Sequence, residues 1–131
     1  MGQNPRNNNE RLNELFKELR RTAKVVARRN FSCCSTCASA ELNEVAKERN
    51  KRGVVYYHRQ DNDSLKEGGE YVMLGYGATN AEGISISCNS AESHRIGVAI
   101  QKAARKVGLS AKWNGDVNMK IEIQLPGGLS A

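Results

Sequence analysis

Residues 90–125 read SAESHRIGVAIQKAARKVGLSAKWNGDVNMKIEIQL, and they decide the fold class because a helical repeat gives way to a strand-like one. In the first half, apolar side chains recur at steps of three and four, which is typical of an amphipathic helix. These side chains are Ile96, Ala99, Ile100, Ala103 and Val107. Asn89 or Ser90 suits the N-cap of this helix, and Gly108 suits its C-terminal stop. Residues 119–125 then alternate apolar and polar side chains, the period of a half-buried strand.

Similar patterns precede this stretch. A stripe of apolar residues predicts one continuous amphipathic helix over residues 9–29, with its basic residues on the outer faces. The stripe consists of Leu12, Leu15, Phe16, Leu19, Ala23, Val26 and Ala27. Residues 36–50 predict a second helix, capped by Ser35 or Thr36. Apolar runs predict strands over 54–57, 71–76, 84–88 and 111–113, and a short helix can form over 61–67.

The order of these elements predicts an α+β fold. We expect a mixed, mainly antiparallel sheet of about five strands, covered by three helices. The folded part is expected to be a single domain over residues 10–125. It is preceded by a disordered polar segment, 1–9, and followed by a flexible C-terminal tail, 126–131.

Size and charge limit the functional classes. A chain of 131 residues is long enough to bury a core, and it contains neither an apolar run of membrane length nor a secretory signal. We therefore expect a cytoplasmic protein with reduced thiols and no membrane partner. Its net charge is +6, and residues 1–30 hold eight basic side chains against three acidic ones.

This basic segment indicates a surface that could bind an acidic protein or the phosphates of a nucleic acid. The candidate partner-binding residues are Arg20, Arg21, Lys24 and Arg28. The alternative is an ordinary solvated helix face that keeps the protein soluble. The segment lacks interleaved aromatic residues, so nucleic-acid binding there would depend on phosphates and would be unspecific.

The stretch Phe31-Ser32-Cys33-Cys34-Ser35-Thr36-Cys37 concentrates three of the four cysteines. The spacing of Cys34 and Cys37 is typical of a zinc knuckle, and Cys33 or Cys88 with His58 could complete the ligand set. A second interpretation is a cysteine-dependent enzyme. In that case Cys34 is the nucleophile, His58 is the base, and Asp61 or Gln60 orients the base.

A third interpretation assigns these residues no chemistry. Cysteines pack well as small apolar groups at a tight corner between helices, and His58 and Asp61 could bond to the backbone. The sequence leaves the three interpretations open.

The chain also resembles a small, uncharacterised bacterial domain family of unknown function. The resemblance lies in the pattern CCxxC at residues 33–37, HxQD at 58–61 and GLxxxWxG at 108–115, within residues 10–125. The family typically carries an acidic residue where Arg59 stands. The resemblance implies a fold and a shared constellation of Cys33, Cys34, Cys37, His58, Gln60 and Asp61, but it implies no activity. We therefore favour a binding or regulatory module over an enzyme, and a phage-encoded inhibitor protein would fit the same description.

Overall fold

The computed structural model describes residues 7–29, 53–57, 59–78, 90–117 and 119–131, and this part of the chain contains three helices and five strands. The helices are α1 (Asn8–Thr22), α2 (Arg59–Lys66) and α3 (Ser90–Val107), and the strands are β1 (Val25–Arg28), β2 (Gly53–Tyr56), β3 (Tyr71–Ala78), β4 (Ser110–Lys112) and β5 (Ile121–Gln124). The α+β class is confirmed. The predicted helix over 36–50 and the predicted strand over 84–88 lie outside the described residues.

The five strands form one mixed sheet in the order β1-β2-β3-β5-β4. Only β1 and β2, among these strands, pair in parallel, with Val25 opposite Gly53 and Arg28 opposite Tyr56. The other three pairings, β2 with β3, β3 with β5 and β5 with β4, are antiparallel. The prediction of a mainly antiparallel sheet is therefore confirmed, and β1 and β4 are the edge strands of the sheet that the described residues form.

The prediction of one helix over residues 9–29 is wrong at its C-terminal third. The helix ends at Thr22, Ala23 is its C-cap, and residues 25–28 form β1. Between them Lys24 adopts a positive φ of 55°, a left-handed conformation that cannot continue an α-helix. The adjacent β-branched residues Val25 and Val26 favour a strand after this break.

Helices α1 and α3 pack side by side and run in opposite directions over the sheet. Arg95, near the start of α3, lies next to the end of α1 and donates a 3.4 Å hydrogen bond to the carbonyl oxygen of Ala23. Gly108, just after α3, lies next to Arg11 near the start of α1. The apolar sides of both helices face the sheet and form the core, which includes Leu12, Leu15, Phe16, Leu19, Ile96, Ile100, Val72, Leu74, Ile121 and Ile123.

The predicted boundaries of α3 are confirmed. It spans Ser90–Val107, and Gly108 follows with a φ of +88°, which glycine adopts without the clash that a Cβ causes. The N-cap of α1 is Asn7, whose side-chain oxygen accepts a 2.9 Å hydrogen bond from the backbone N–H of Glu10.

Residues 126–131, predicted to be a flexible tail, contact the first turn of α1. The side-chain amide of Asn8 donates hydrogen bonds of 2.9 Å to the carbonyl oxygens of both Pro126 and Gly128. The backbone N–H of Asn8 also donates to the carbonyl oxygen of Ala131 at 2.7 Å. Asn8 is buried, so one polar side chain joins the start of α1 to the segment that follows β5.

Candidate functional site

The predicted thiol and histidine site lies mostly outside the described residues. Cys33, Cys34, Cys37, Cys88 and His58 belong to the segments that the structure leaves undescribed, as does the side chain of Gln60. Within the described ranges, no three His, Cys, Asp or Glu side chains come together as a metal-binding group. The structure does describe the end of the sheet from which these segments continue.

This end of the sheet is formed by the C-terminal ends of the parallel strands β1 and β2. Arg28 and Tyr56 are register partners at this end. The chain continues from β1 towards the cysteines and from β2 towards His58, so both segments start from the same end of the sheet. Asp61 follows within the first turn of α2.

A polar cluster around Tyr57 lies at this end of the sheet. The Tyr57 hydroxyl accepts a 2.8 Å hydrogen bond from the Nε of Arg29, and its ring packs edge-on against Phe16 with 6.0 Å between centroids. The Arg29 guanidinium also donates to the side-chain oxygens of Asn9 and Asn13 on α1. Arg29 thus connects the end of β1 with α1 and with the end of β2.

Burial raises the pKa of the Tyr57 hydroxyl because the charged phenolate would lose its solvation. The hydrogen bond from Arg29 acts in the opposite direction and lowers this pKa, whereas the negative charge of Asp61 raises it. The hydroxyl is therefore neutral at physiological pH, and in this cluster it accepts a hydrogen bond from a permanently charged guanidinium.

The four basic residues predicted to bind a partner do not share one helix face. Arg20 and Arg21 lie in the last turn of α1, Lys24 lies in the break after it, and Arg28 lies on β1. The guanidinium of Arg20 donates two hydrogen bonds, of 3.0 and 2.8 Å, to the carbonyl oxygen of Ala27. Arg20 therefore has a structural role at the edge of the sheet.

A groove on the outer side of the two antiparallel helices offers a different surface. It is a cavity of about 560 Å³, which we call the interhelical groove. Its lining comes from one side of each helix and consists of Glu18, Thr22, Arg95, Val98, Ala99, Lys102, Ala103 and Lys106. The groove therefore combines three small apolar side chains of α3 with three cationic ones from the same helix.

Glu18 organises part of this charge. Its carboxylate accepts hydrogen bonds from Arg21 at 2.7 and 2.9 Å, and Lys106 of α3 donates to it at 3.1 Å. The hydrogen bonds from Arg21 and then Lys106 lower the pKa of Glu18, so the carboxylate stays ionised at neutral pH. Arg95 pairs with Glu92 at 2.8 Å. Among the described residues no ion pair involves Lys102.

Sequence reasoning missed Arg95, Lys102 and Lys106 because it assigned the basic surface to the first helix alone. A signal for them was present, since steps of seven and four residues place all three on one side of a helix. The partner side of the groove has no such signal, because periodicity within one helix does not say which other helix packs against it.

No helix in the described part of the chain has the length and apolar character that crossing a membrane requires.

Comparison with known proteins identifies the family. Searches of curated proteins and of solved structures find no match to this chain. The sequence pattern of one family, described as a domain of unknown function (DUF6891), matches residues 4–126. This match covers most of the 131 residues, and the chain therefore belongs to the DUF6891 family.

Proposed function

We propose that this domain is a protein-binding module whose interhelical groove takes an acidic segment of a partner protein. The observation that carries the proposal is the composition of the groove, in which Arg95, Lys102 and Lys106 surround apolar side chains of α3. Two antiparallel helices with such a surface between them can accept a third, amphipathic helix. The basic side chains would attract acidic residues of that helix, and the apolar floor would contact its hydrophobic ones.

The groove suits a protein better than a nucleic acid. Val98, Ala99 and Ala103 offer apolar contacts that a phosphate backbone cannot use, whereas a protein side chain can. Binding of a nucleic acid would rest on the basic residues alone, so it serves as the competing outcome in the test.

Lys102 provides the sharpest test of this function. The probe is a synthetic helical peptide with leucines spaced three and four residues apart and glutamates on both flanks. We expect Lys102→Ala to weaken peptide binding by about two- to fivefold, because exposed charge pairs contribute up to roughly 1 kcal/mol each. Titration calorimetry at about 50 and 200 mM salt should also show weaker binding at the higher salt, since exposed charges are screened.

The matched control is Arg105→Ala, which removes one positive charge from the same helix. Arg105 is exposed and is not among the residues that line the groove. Equal losses for the two variants would show a general effect of net charge and would contradict a binding site in the groove. Tight binding of a single-stranded oligonucleotide, with none of the peptide, would also contradict the proposal.

A second candidate function belongs to the C-terminal ends of β1 and β2. The parallel register of Arg28 and Tyr56 supports a site there, because the CCxxC and HxQD segments continue from this same end of the sheet. Such a site would hold zinc through Cys33, Cys34, Cys37 and His58, or would use Cys34 as a nucleophile with His58 and Asp61. A reducing, cytoplasmic location would keep the thiols available for either role.

Native mass spectrometry of freshly reduced protein separates these two roles. One bound zinc ion per chain, lost in Cys34→Ser and Cys37→Ser but retained in Cys88→Ser, would support the metal site. A metal-free protein with a thiol that reacts well below its usual pKa of about 8.5 would support the nucleophile. A metal-free protein whose four thiols all titrate normally would contradict both.

A further inference from the structure

We propose that Glu18 is a built-in competitor for the interhelical groove, and that in the free protein it occupies the position of a partner carboxylate. This inference rests on the binding function proposed above and adds a mechanism that sets the affinity. Among the residues that line the cavity of about 560 Å³, Glu18 is the one acidic side chain. Its carboxylate already makes the contact with Lys106 that a carboxylate in the groove would make. It also pairs with Arg21, which lines a neighbouring cavity and not the groove itself.

The position of Glu18 supports this role. A second cavity of about 320 Å³ adjoins the groove, and Glu18 and Lys106 line both cavities. The ion pair between them, 3.1 Å long, therefore lies where the two cavities meet. If Lys106 turns from Glu18 to a partner carboxylate, this bridge between α1 and α3 opens, and a longer ligand can extend from one cavity into the other.

The exposure of the three side chains makes such an exchange easy. The side chain of Glu18 is only 16% exposed, whereas those of Arg21 and Lys106 are 64% and 62% exposed. The cationic groups thus reach towards solvent, where a partner carboxylate can approach them. Arg21 still pairs with Glu18 when Lys106 turns to a partner carboxylate, so the exchange leaves no charge without a partner and has a small cost. The lowered pKa of Glu18 keeps the internal competitor charged at neutral pH.

The test compares Glu18→Gln with Glu10→Gln, using the leucine and glutamate peptide as the probe. Both variants remove one negative charge from α1, but Glu10 lies in the first turn and does not line the groove. We expect Glu18→Gln to bind the peptide roughly three- to tenfold more tightly than the wild type, because Lys106 is released for the ligand and the charge that repels the peptide carboxylates is removed. Glu10→Gln should change the affinity by less than about twofold, since distant exposed charges are screened.

Several outcomes separate this inference from the proposed function. If the wild type binds the peptide and Lys102→Ala weakens binding, but Glu18→Gln binds no more tightly, the competitor role is wrong and the groove stands. Equal gains for Glu18→Gln and Glu10→Gln would also overturn the competitor role, because net charge would explain them. If neither the wild type nor Glu18→Gln binds the peptide, the binding function itself fails. Glu18→Ala, which removes the carboxylate without adding an amide, should reproduce the gain.

Discussion

At the scale of single residues, Tyr57 shows how a buried polar group can support both folding and a site. Its side chain is 1% exposed, yet its hydroxyl is satisfied by the Nε of Arg29 at 2.8 Å. Among the described residues, the Arg29 guanidinium donates to Tyr57, Asn9 and Asn13, and none of these acceptors is a carboxylate. Removing the hydroxyl therefore leaves a buried part of a guanidinium with one acceptor fewer.

We expect Tyr57→Phe to lower the free energy of unfolding at neutral pH by about 1–2 kcal/mol. The difference should shrink above about pH 10, where the unfolded tyrosine loses its proton. Because burial raises the pKa of Tyr57, the folded protein keeps the proton longer, and the wild type loses stability as pH rises through that range. Phenylalanine does not titrate, so urea denaturation of both proteins between neutral and alkaline pH measures the effect. A constant difference across this range would contradict it.

At the scale of elements, the sequence predicted most of the segments but not the end of the first helix. Leu12, Phe16 and Leu19 continue in register with Ala23 and Val26, so helical periodicity alone extends the helix to residue 29. The apolar residues of β1 are buried for another reason, because they join a sheet whose partner β2 follows much later in the chain. A pairing between distant segments leaves no periodic signal, and for the same reason the groove between α1 and α3 could not be predicted.

The role of Arg20 follows from the position of β1 at the sheet edge. The carbonyl oxygen of Arg28 points to β2, since it accepts a 3.4 Å hydrogen bond from the backbone N–H of Tyr57. Because successive carbonyls of a strand alternate in direction, that of Ala27 points away from β2, and the Arg20 guanidinium covers it. Covering a free edge protects a sheet from pairing with another chain.

We expect Arg20→Ala to lower the free energy of unfolding by about 1 kcal/mol and to increase self-association, because an edge acceptor becomes free. Arg20→Lys should retain the charge but lose the paired contact, and should therefore resemble Arg20→Ala. Urea denaturation and light scattering at several protein concentrations measure the two effects. The control is Arg21→Ala, since Arg21 is exposed and does not contact β1. If all three variants behave alike, the edge contact has no protective role.

At the scale of the whole molecule, the start of α1 and the segment after β5 are joined through Asn8. Its amide group satisfies the carbonyl oxygens of Pro126 and Gly128, and its side-chain oxygen accepts a 3.1 Å hydrogen bond from Arg11. These contacts connect residues more than a hundred positions apart, so they constrain the fold as a whole. Asn8 is also the first residue of α1, where the helix dipole favours a negative charge.

These two roles of Asn8 predict opposite changes in the free energy of unfolding for Asn8→Asp, so this variant decides between them. If the helix dipole dominates, an aspartate at this position stabilises the protein by roughly 0.3–1 kcal/mol. If the link to residues 126–128 dominates, the variant loses two donors and places a carboxylate against two carbonyl oxygens, which costs about 2–3 kcal/mol. We expect net destabilisation, and we expect Asn8→Ala, which lacks the charge, to be destabilised as well. Urea denaturation gives the sign directly, and a more stable Asn8→Asp would show that the two ends of the fold are not held together by this side chain.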